Sequence, residues 1–198
     1  MVLGDNIFFG HGLPEMLASA DARETGGTVF GYHVSDPERY GVAKFDTEGK
    51  VEAIIEKPSN PPSNYAVTGL YFLDGSAPAR AKQVKPSERG ELEIVTLLES
   101  YLSEGSLSVE KMGRGYAWLD TGTQGSLLDA SNFVRTLALR QGLQTGCLEE
   151  VAFHAGWITQ TDIKTRFKSY AKSEYGDYLQ NLNFSSDHSS RERPLELS

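Results

Sequence analysis

Apolar residues recur along the chain at two spacings, one typical of helices and one typical of strands. The spacing typical of a helix, i, i+3, i+4 and i+7, is seen at Leu13, Met16, Leu17 and Ala20 and predicts a helix over 13–23. Further helices are predicted over 78–84, 92–103, 123–140, 149–155 and 161–171. Runs of β-branched and aromatic residues predict strands over 28–34, 41–45, 51–56, 65–73, 106–112 and 117–120. Because strands and helices alternate, we expect an α/β protein with a mixed sheet and a helical carboxyl-terminal region.

The two ends of the chain differ from its middle. The first four residues are apolar and stop at Asp5, as at the carboxyl end of a buried parallel strand. Too few strong parallel strands follow to complete a doubly wound sheet, so we expect part of the sheet to be missing. Residues 183–198 are polar and serine-rich without periodicity, which predicts a disordered tail after a domain region of 1–182.

Charge and cysteine content narrow the classes of function. The net charge is −8 and the isoelectric point about 5.0. Nucleic acids and anionic membranes require a basic footprint, so neither is an expected partner. No apolar stretch approaches the length of a membrane-spanning helix, which is about 20 residues. Cys147 is the only cysteine, which rules out an intramolecular disulfide and fits a cytoplasmic protein.

Two aspartates follow apolar strand patterns, Asp5 in Leu-Gly-Asp-Asn and Asp120 in Trp-Leu-Asp-Thr. Ligands of open α/β sheets gather outside the carboxyl ends of strands. Mg²⁺ takes one or two carboxylates together with water and phosphate oxygens. The pair is therefore a candidate Mg²⁺ site, although each aspartate taken alone fits a strand-ending turn or a helix N-cap better.

A second candidate constellation contains an aromatic–glycine step, a Glu-Lys pair and a strand: Tyr40, Gly41, Glu56, Lys57, Val67 and Tyr71. Gly41 would let a ligand approach the backbone closely. Lys57 is a point charge suited to a phosphate oxygen, and Glu56 could accept hydrogen bonds from sugar hydroxyls. Spacing alone favours a plainer interpretation, in which 56–57 is a solvated strand end.

Other chemistry-bearing residues give weaker signals. The acids of 89–94 open a predicted helix, where helix capping and a functional role fit equally well. His11, His33 and His154 lack metal-ligand spacing. The sequence contains no Gly-x-Ser-x-Gly, Walker or Gly-x-Gly-x-x-Gly motif, so serine-nucleophile, P-loop and Rossmann dinucleotide functions lack support.

Several long segments together resemble those of the glucose-1-phosphate thymidylyltransferases, or dTDP-glucose pyrophosphorylases, in the family's order. The segments are 2–12 (VLGDNIFFGHG), 36–42 (DPERYGV), 55–58 (IEKP), 65–71 (YAVTGLY), 84–94 (VKPSERGELEI), 113–123 (GRGYAWLDTGT) and 147–150 (CLEE). The resemblance runs from Met1 to about Leu182, and it is specific because the segments match together.

The resemblance implies a sugar-nucleotidyltransferase fold, Rossmann-like with a mixed sheet, that lacks its amino-terminal strands here. It implies a Mg²⁺-dependent reaction in which glucose 1-phosphate attacks the α-phosphate of dTTP, giving dTDP-glucose and pyrophosphate. Asp5 and Asp120 would hold Mg²⁺ and be catalytic together with Lys57, and Asn6 would lie beside the nucleotide sugar. The residues in contact with glucose or its phosphate, or close by, would be Gly41, Glu56, Lys57, Val67, Tyr40 and Tyr71. The product would serve dTDP-rhamnose and surface-polysaccharide synthesis, and the family's tetramers imply a homo-oligomer.

The sequence departs from the family's pattern at its start. The family's loop of the type Gly-Gly-x-Gly-Thr-Arg-Leu, followed by a Lys and a Gln that handle phosphates and base, is not found here. We therefore expect an amino-terminally truncated family member that is inactive alone. A second nucleotide site, used by the family for feedback by dTDP-rhamnose, would be partly kept by Phe9, Gly10, Gly113, Arg114 and Glu150.

Two other functions stay open. A relative that uses UTP, CTP or ATP would share most of these motifs, because base choice depends mainly on the absent loop. A non-catalytic module that binds a sugar phosphate or a dTDP-sugar would also keep them.

Overall fold

The computed structural model describes residues 1–87, 89–170 and 172–182. The strands are β1 (Asn6–Gly10), β2 (Gly27–His33), β3 (Gly41–Phe45), β4 (Val51–Glu56), β5 (Tyr65–Leu73), β6 (Leu107–Met112) and β7 (Tyr116–Asp120). The helices are α1 (Leu13–Asp21), α2 (Ala77–Ala81), α3 (Ile94–Ser103), α4 (Gln124–Gln141), α5 (Leu148–His154), α6 (Gln160–Tyr170) and α7 (Glu174–Asn181). Helices alternate with strands, which confirms the predicted α/β class.

Five strands form a mixed sheet in the order β4-β3-β5-β2-β6, and β1 pairs with β7 in a separate two-stranded ribbon. Only the β2–β6 pair of the five-stranded sheet is parallel, and the other pairs are antiparallel. The hairpin of β3 and β4 has the predicted bounds. Its turn is held by Asp46 Oδ1, which accepts hydrogen bonds from the backbone N–H groups of Glu48 at 2.9 Å and Lys50 at 2.8 Å.

Apolar side chains cover both faces of the five-stranded sheet. Val29 and Phe30 are adjacent in β2 and fully buried, and successive strand residues point to opposite faces. Val29 packs in the cluster that includes Leu98 and Tyr101 of α3, whereas Phe30 packs in the cluster that includes Ala20 of α1. Each helix therefore buries its apolar stripe against a different face.

The described residues divide into two compact units, Met1–Gly122 and a second unit that begins at Thr123. In the second unit, Cys147, Ile163 and Leu179 form a core of their own. The predicted tail, 183–198, lies outside the described residues. Among the described helices, none combines the length and apolarity needed to cross a bilayer.

The prediction for the start of the chain was wrong. Val2 forms an isolated antiparallel bridge with Leu70 and is 60% exposed, and the regular strand begins only at Asn6. Residues 6–10 are rich in β-branched and aromatic side chains and pair with β7, which accounts for a strand there. Asp5 therefore lies at the amino end of a strand, not at the carboxyl end of a parallel one.

Two helix predictions also need correction. Helix α3 begins at Ile94, because Glu93 has an extended backbone and its carboxylate accepts a hydrogen bond from Ser87 at 3.0 Å. Helix α7 was not predicted, since tyrosines supply much of its apolar face. Tyr175, Tyr178 and Leu179 nevertheless lie at helical spacing in the second unit's core.

Candidate active site

One cavity of about 230 Å³ in the first unit brings the predicted metal and substrate residues together. The predicted residues that line it are Asp5, Asn6, Tyr40, Gly41, Glu56, Lys57, Val67, Tyr71 and Asp120. They come from β1, β3, β4, β5 and β7 and from the residues just outside those strands. Distant parts of the sequence therefore converge on one site, which is the arrangement that a small-molecule pocket requires.

The two aspartates meet at one end of the β1–β7 ribbon. Asn6 pairs with Asp120 across the ribbon, because antiparallel pairing sets the start of one strand beside the end of the other. Thr121 fixes the adjoining turn by donating from its backbone N–H and its Oγ1 to the Asp5 carbonyl, at 2.8 and 2.9 Å. The antiparallel ribbon thus replaces the carboxyl ends of two separate strands that were expected.

Each aspartate uses one carboxylate oxygen within the protein. Asp5 Oδ1 accepts from Asn6 Nδ2 at 2.9 Å, and Asp120 Oδ1 accepts from the Gly122 N–H at 3.2 Å. Within the described ranges, no three Asp, Glu, His or Cys side chains cluster as a metal site. A divalent cation held by Asp5 and Asp120 would therefore need ligand oxygens and water to complete its coordination.

Glu56 is the last residue of β4, and Lys57 follows it in the pocket lining. Glu56 is half-buried and Lys57 is exposed. Lys57 has a φ of 41°, a left-handed conformation that costs energy in a residue with a side chain. Its N–H donates to the Tyr40 carbonyl at 3.0 Å, and its Nζ lies 3.7 Å from Glu56 Oε1. The strained backbone is thus held by a hydrogen bond within the site.

Burial raises the pKa values of two residues in the pocket lining, Glu56 and Tyr71. Burial raises the pKa of Glu56, and the charge of Glu93 adds to the rise, while Lys57 and Arg89 oppose it. Burial, with a smaller contribution from Glu56, raises the pKa of Tyr71 to about 12. The Tyr71 hydroxyl is therefore protonated at neutral pH and can donate a hydrogen bond.

Gly41 leaves space that a side chain would fill. A Cβ atom at this position would lie 3.3 Å from Glu56 Oε2 and 3.3 Å from a methyl group of Val95. Such contacts are tight, so the pocket wall depends on the absence of a side chain here.

The pocket also contains residues that were not predicted as site residues: Leu3, Arg39, Gly69, Ile94, Val95, Leu98 and Trp118. Ile94, Val95 and Leu98 carry no sequence signal of a site, because their helical spacing is that of an ordinary core face. Trp118 lies in the same segment as Asp120 and makes an edge contact with Tyr40 at 5.1 Å between ring centroids. Arg39 lies beside Tyr40 and is tethered to Asp36 at 2.8 Å.

The acids of 89–94 do not cap helix α3, because Glu93 makes no side-chain capping hydrogen bond and the first turn contains no acid. Arg89 precedes the helix and lies 3.2 Å from Glu91, 3.6 Å from Glu93 and 3.9 Å from Glu56. These ion pairs connect the segment before α3 to the Glu56 wall of the pocket.

The residues of the predicted regulatory site lie outside the pocket lining. Phe9 and Gly10 are in β1, and Gly113 and Arg114 lie between β6 and β7. Gly10 pairs with Tyr116, and a Cβ on Gly10 would lie 2.4 Å from the Tyr116 ring. Glu150 belongs to the second unit, where it accepts a hydrogen bond from Tyr178 at 2.5 Å.

Comparison with known proteins identifies the family of the chain. A family model described as nucleotidyl transferase matches residues 1–136. A glucose-1-phosphate thymidylyltransferase of Xanthomonas campestris pv. campestris (strain B100) is 59% identical over 179 residues, which are 90% of this chain and 61% of the relative. That of Neisseria gonorrhoeae is 53% identical over 182 residues, which are 92% of this chain and 63% of the relative. The chain thus spans about three-fifths of the length of these curated relatives.

Solved structures agree with the fold. A Bacillus anthracis protein with a provisional assignment as a glucose-1-phosphate thymidylyltransferase, crystallised with sucrose, matches with a TM-score of 0.58 and 41% identity. The match covers 68% of this chain and 53% of that one. A UDP-glucose pyrophosphorylase in complex with UDP-glucose, at 23% identity and a TM-score of 0.59, covers 68% of this chain and 55% of its own, and shows the fold alone. With the family model matching most of its length and the fold in agreement, this chain belongs to the nucleotidyl transferase family.

Proposed function

We propose that the chain takes part in the Mg²⁺-dependent transfer of dTMP from dTTP to glucose 1-phosphate, which gives dTDP-glucose and pyrophosphate. The observation that carries the proposal is the convergence of Asp5, Asp120 and Lys57 on one cavity. Two carboxylates and an ammonium group can neutralise a cation and a phosphate side by side. The similarity to curated thymidylyltransferases supports the choice of sugar and nucleotide.

The donor set of Asp5 and Asp120 suits Mg²⁺. Both supply hard carboxylate oxygens. In each carboxylate, one oxygen accepts a hydrogen bond from a neighbouring N–H group, and the other has no hydrogen-bond partner among the described residues. Mg²⁺ prefers such partial protein coordination and keeps water and phosphate oxygens as its remaining ligands. When bound, the ion supplies polarisation of the phosphate and neutralisation of developing charge.

The other residues bind and orient the acceptor. Lys57 pairs with the phosphate of glucose 1-phosphate as a point charge. Glu56, once ionised, accepts hydrogen bonds from glucose hydroxyls, and Tyr71 donates one because its pKa of about 12 keeps it protonated. Gly41 lets the sugar approach the backbone. Phosphoryl-type transfer depends mostly on positioning and charge, which these residues provide.

The size of the cavity favours the sugar-phosphate part of the reaction. Its volume of about 230 Å³ is below the about 300–1,000 Å³ of pockets that enclose drug-sized ligands. It suits a hexose phosphate better than a whole nucleotide sugar.

A second function, binding of a sugar phosphate without transfer, has an observation in its favour. In the described part of the pocket lining, the cationic side chains are Arg39 and Lys57, and Arg39 is paired with Asp36. Lys57 Nζ itself lies 3.7 Å from Glu56 Oε1, and a triphosphate requires more neutralisation than these two side chains offer. We therefore propose that this polypeptide on its own binds glucose 1-phosphate and does not complete the transfer, in a cytoplasmic setting that the lone, buried Cys147 suits.

A turnover assay separates the two functions. Purified chain is incubated with dTTP, glucose 1-phosphate and Mg²⁺, and dTDP-glucose is quantified by chromatography. Transfer is supported if dTDP-glucose formation falls at least tenfold in Lys57→Met but not in Lys50→Met. Lys50 is the control because it lies in the exposed turn between β3 and β4. No product, with glucose 1-phosphate binding that depends on Lys57, supports the binding function. No product and no binding contradicts both.

A further inference from the structure

The side-chain amide of Asn6 lies where three strands meet at the pocket. Its Oδ1 accepts a hydrogen bond from the backbone N–H of Gly69 in β5 at 3.1 Å and another from Trp118 Nε1 in β7 at 2.6 Å. Its Nδ2 donates to Asp5 Oδ1 at 2.9 Å. One amide therefore connects the five-stranded sheet, the two-stranded ribbon and a carboxylate of the pocket.

The partners fix which way the amide points. Two N–H groups face Oδ1, and an ionised carboxylate, which can only accept, faces Nδ2. A reversed amide would set its NH₂ against two donors and its oxygen against a carboxylate. Both lone pairs of Oδ1 are used within the protein, so this atom is committed to the scaffold and not to a ligand hydroxyl.

The side chain of Asn6 is tightly packed against Gly69. A Cβ atom on Gly69 would lie 2.7 Å from Asn6 Oδ1 and 2.8 Å from its Cγ, so the amide reaches β5 only because residue 69 is glycine. The indole that Asn6 holds also makes edge contacts with Tyr40 at 5.1 Å and Tyr32 at 6.0 Å between ring centroids. A movement of the amide would therefore be transmitted to the aromatic wall of the pocket.

We infer that Asn6 is a positioning residue that couples the Asp5 carboxylate to the Trp118 wall, so that a cation at Asp5 is felt at the indole. The inference rests on the Mg²⁺ site of the proposed function. A cation that binds Asp5 withdraws charge from the oxygen that Nδ2 contacts and alters that hydrogen bond. The rigid amide passes the change to the two hydrogen bonds on its other end.

The indole N–H resonance of Trp118 measures this link directly. The chain has two tryptophans, and Trp157→Phe assigns the remaining indole cross-peak in a proton–nitrogen correlation spectrum to Trp118. Because the hydrogen bond to Asn6 is short, we expect this resonance to lie downfield. Titration with Mg²⁺ should shift it in the wild-type chain.

Three variants separate positioning from general structure. In Asn6→Ala the indole resonance should move upfield and no longer respond to Mg²⁺. In Asn6→Asp it should stay downfield before Mg²⁺ is added, because a carboxylate oxygen still accepts from Trp118, while the donor to Asp5 is lost. Asn64→Ala is the matched control, since Asn64 donates to the Val34 carbonyl in an exposed loop, and it should behave as wild type.

The inference is overturned if the indole resonance of Asn6→Ala coincides with that of wild type, or if it still responds to Mg²⁺. Should Asn6→Ala not fold, Asn6→Asp and the wild-type titration still decide, and an upfield move in Asn6→Asp contradicts the hydrogen bond. Electron paramagnetic resonance of bound Mn²⁺ distinguishes the remaining cases. If Mn²⁺ binds but the indole does not respond to Mg²⁺, only the coupling is contradicted. If Mn²⁺ does not bind, the proposed metal site is contradicted as well.

Discussion

At the scale of single residues, the pocket combines groups whose usual properties have been shifted. Glu56 has a raised pKa because it is half-buried beside Glu93. Lys57 has a left-handed backbone that a hydrogen bond to Tyr40 holds in place. Such costs are typical of functional sites, where the surrounding fold stabilises conformations that a free chain avoids.

The raised pKa of Glu56 predicts a pH-dependent stability. The folded state holds the Glu56 proton more tightly than the unfolded state, so this contribution to stability is full at low pH. It is lost as the pH rises from the unfolded pKa of about 4.3 through the raised folded pKa. Relative to Glu56→Gln, the wild-type melting temperature should therefore fall as pH rises through that window.

Thermal unfolding followed by circular dichroism between about pH 3 and about pH 7, a range that brackets the carboxyl pKa values, measures this difference. Glu52→Gln is the control, because Glu52 lies on the same strand but is exposed and paired with Lys44 at 3.0 Å. A constant difference between wild type and Glu56→Gln across the range would contradict the account.

At the scale of elements, helix α3 serves both the core and the pocket. Leu98 is fully buried against the sheet and also lines the cavity. Leu98→Ala should destabilise the first unit by about 2–5 kcal/mol, because it removes buried methyl groups and leaves a cavity. Leu92→Ala should cost little, since Leu92 is 68% exposed just before the helix.

Urea unfolding followed by the fluorescence of Trp118, in a Trp157→Phe background, checks this prediction. Glucose 1-phosphate should also bind more weakly to the folded Leu98→Ala variant. Equal unfolding midpoints for the two leucine variants would show that α3 is not packed on the sheet as described.

The pattern of the sequence predicted elements better than it predicted their ends. The hairpin of β3 and β4 was predicted to the residue, because the turn at 46–49 and the alternation on either side agree. The start of α3 was misplaced because the hydrogen bond from Ser87 to Glu93 is tertiary. Likewise, no local pattern reveals that Asn6 bonds to Trp118, which is far away in sequence.

At the scale of the whole molecule, the chain has two compact units with separate cores. In the second unit, the carboxylate of Glu149 is buried and accepts a hydrogen bond from Tyr175, whose hydroxyl also lies 3.3 Å from Cys147 Sγ. Tyr175→Phe leaves this buried carboxylate without the Tyr175 donor. A cost of about 1–3 kcal/mol is expected, the usual penalty for removing one partner of a buried hydrogen bond.

Each unit contains one tryptophan, Trp118 in the first and Trp157 in the second, so fluorescence can follow the units separately. Tyr175→Phe should lower the urea midpoint reported by Trp157. Tyr170→Phe should lower it less, because Tyr170 is 43% exposed and only its ring contacts Tyr175. An unchanged Trp157 midpoint in Tyr175→Phe would contradict the importance of the buried carboxylate.

The central claim is that Asp5, Asp120 and Lys57 form one site for a cation and a sugar phosphate, and calorimetric titration with glucose 1-phosphate tests it most directly. We expect Mg²⁺ to strengthen this binding at least tenfold in the wild-type chain and in the control Asp129→Asn, whose changed residue is exposed on α4. In Asp120→Asn the strengthening by Mg²⁺ should be lost while the basal binding remains. Binding that does not respond to Mg²⁺ in the wild type, or no binding at all, would contradict the claim.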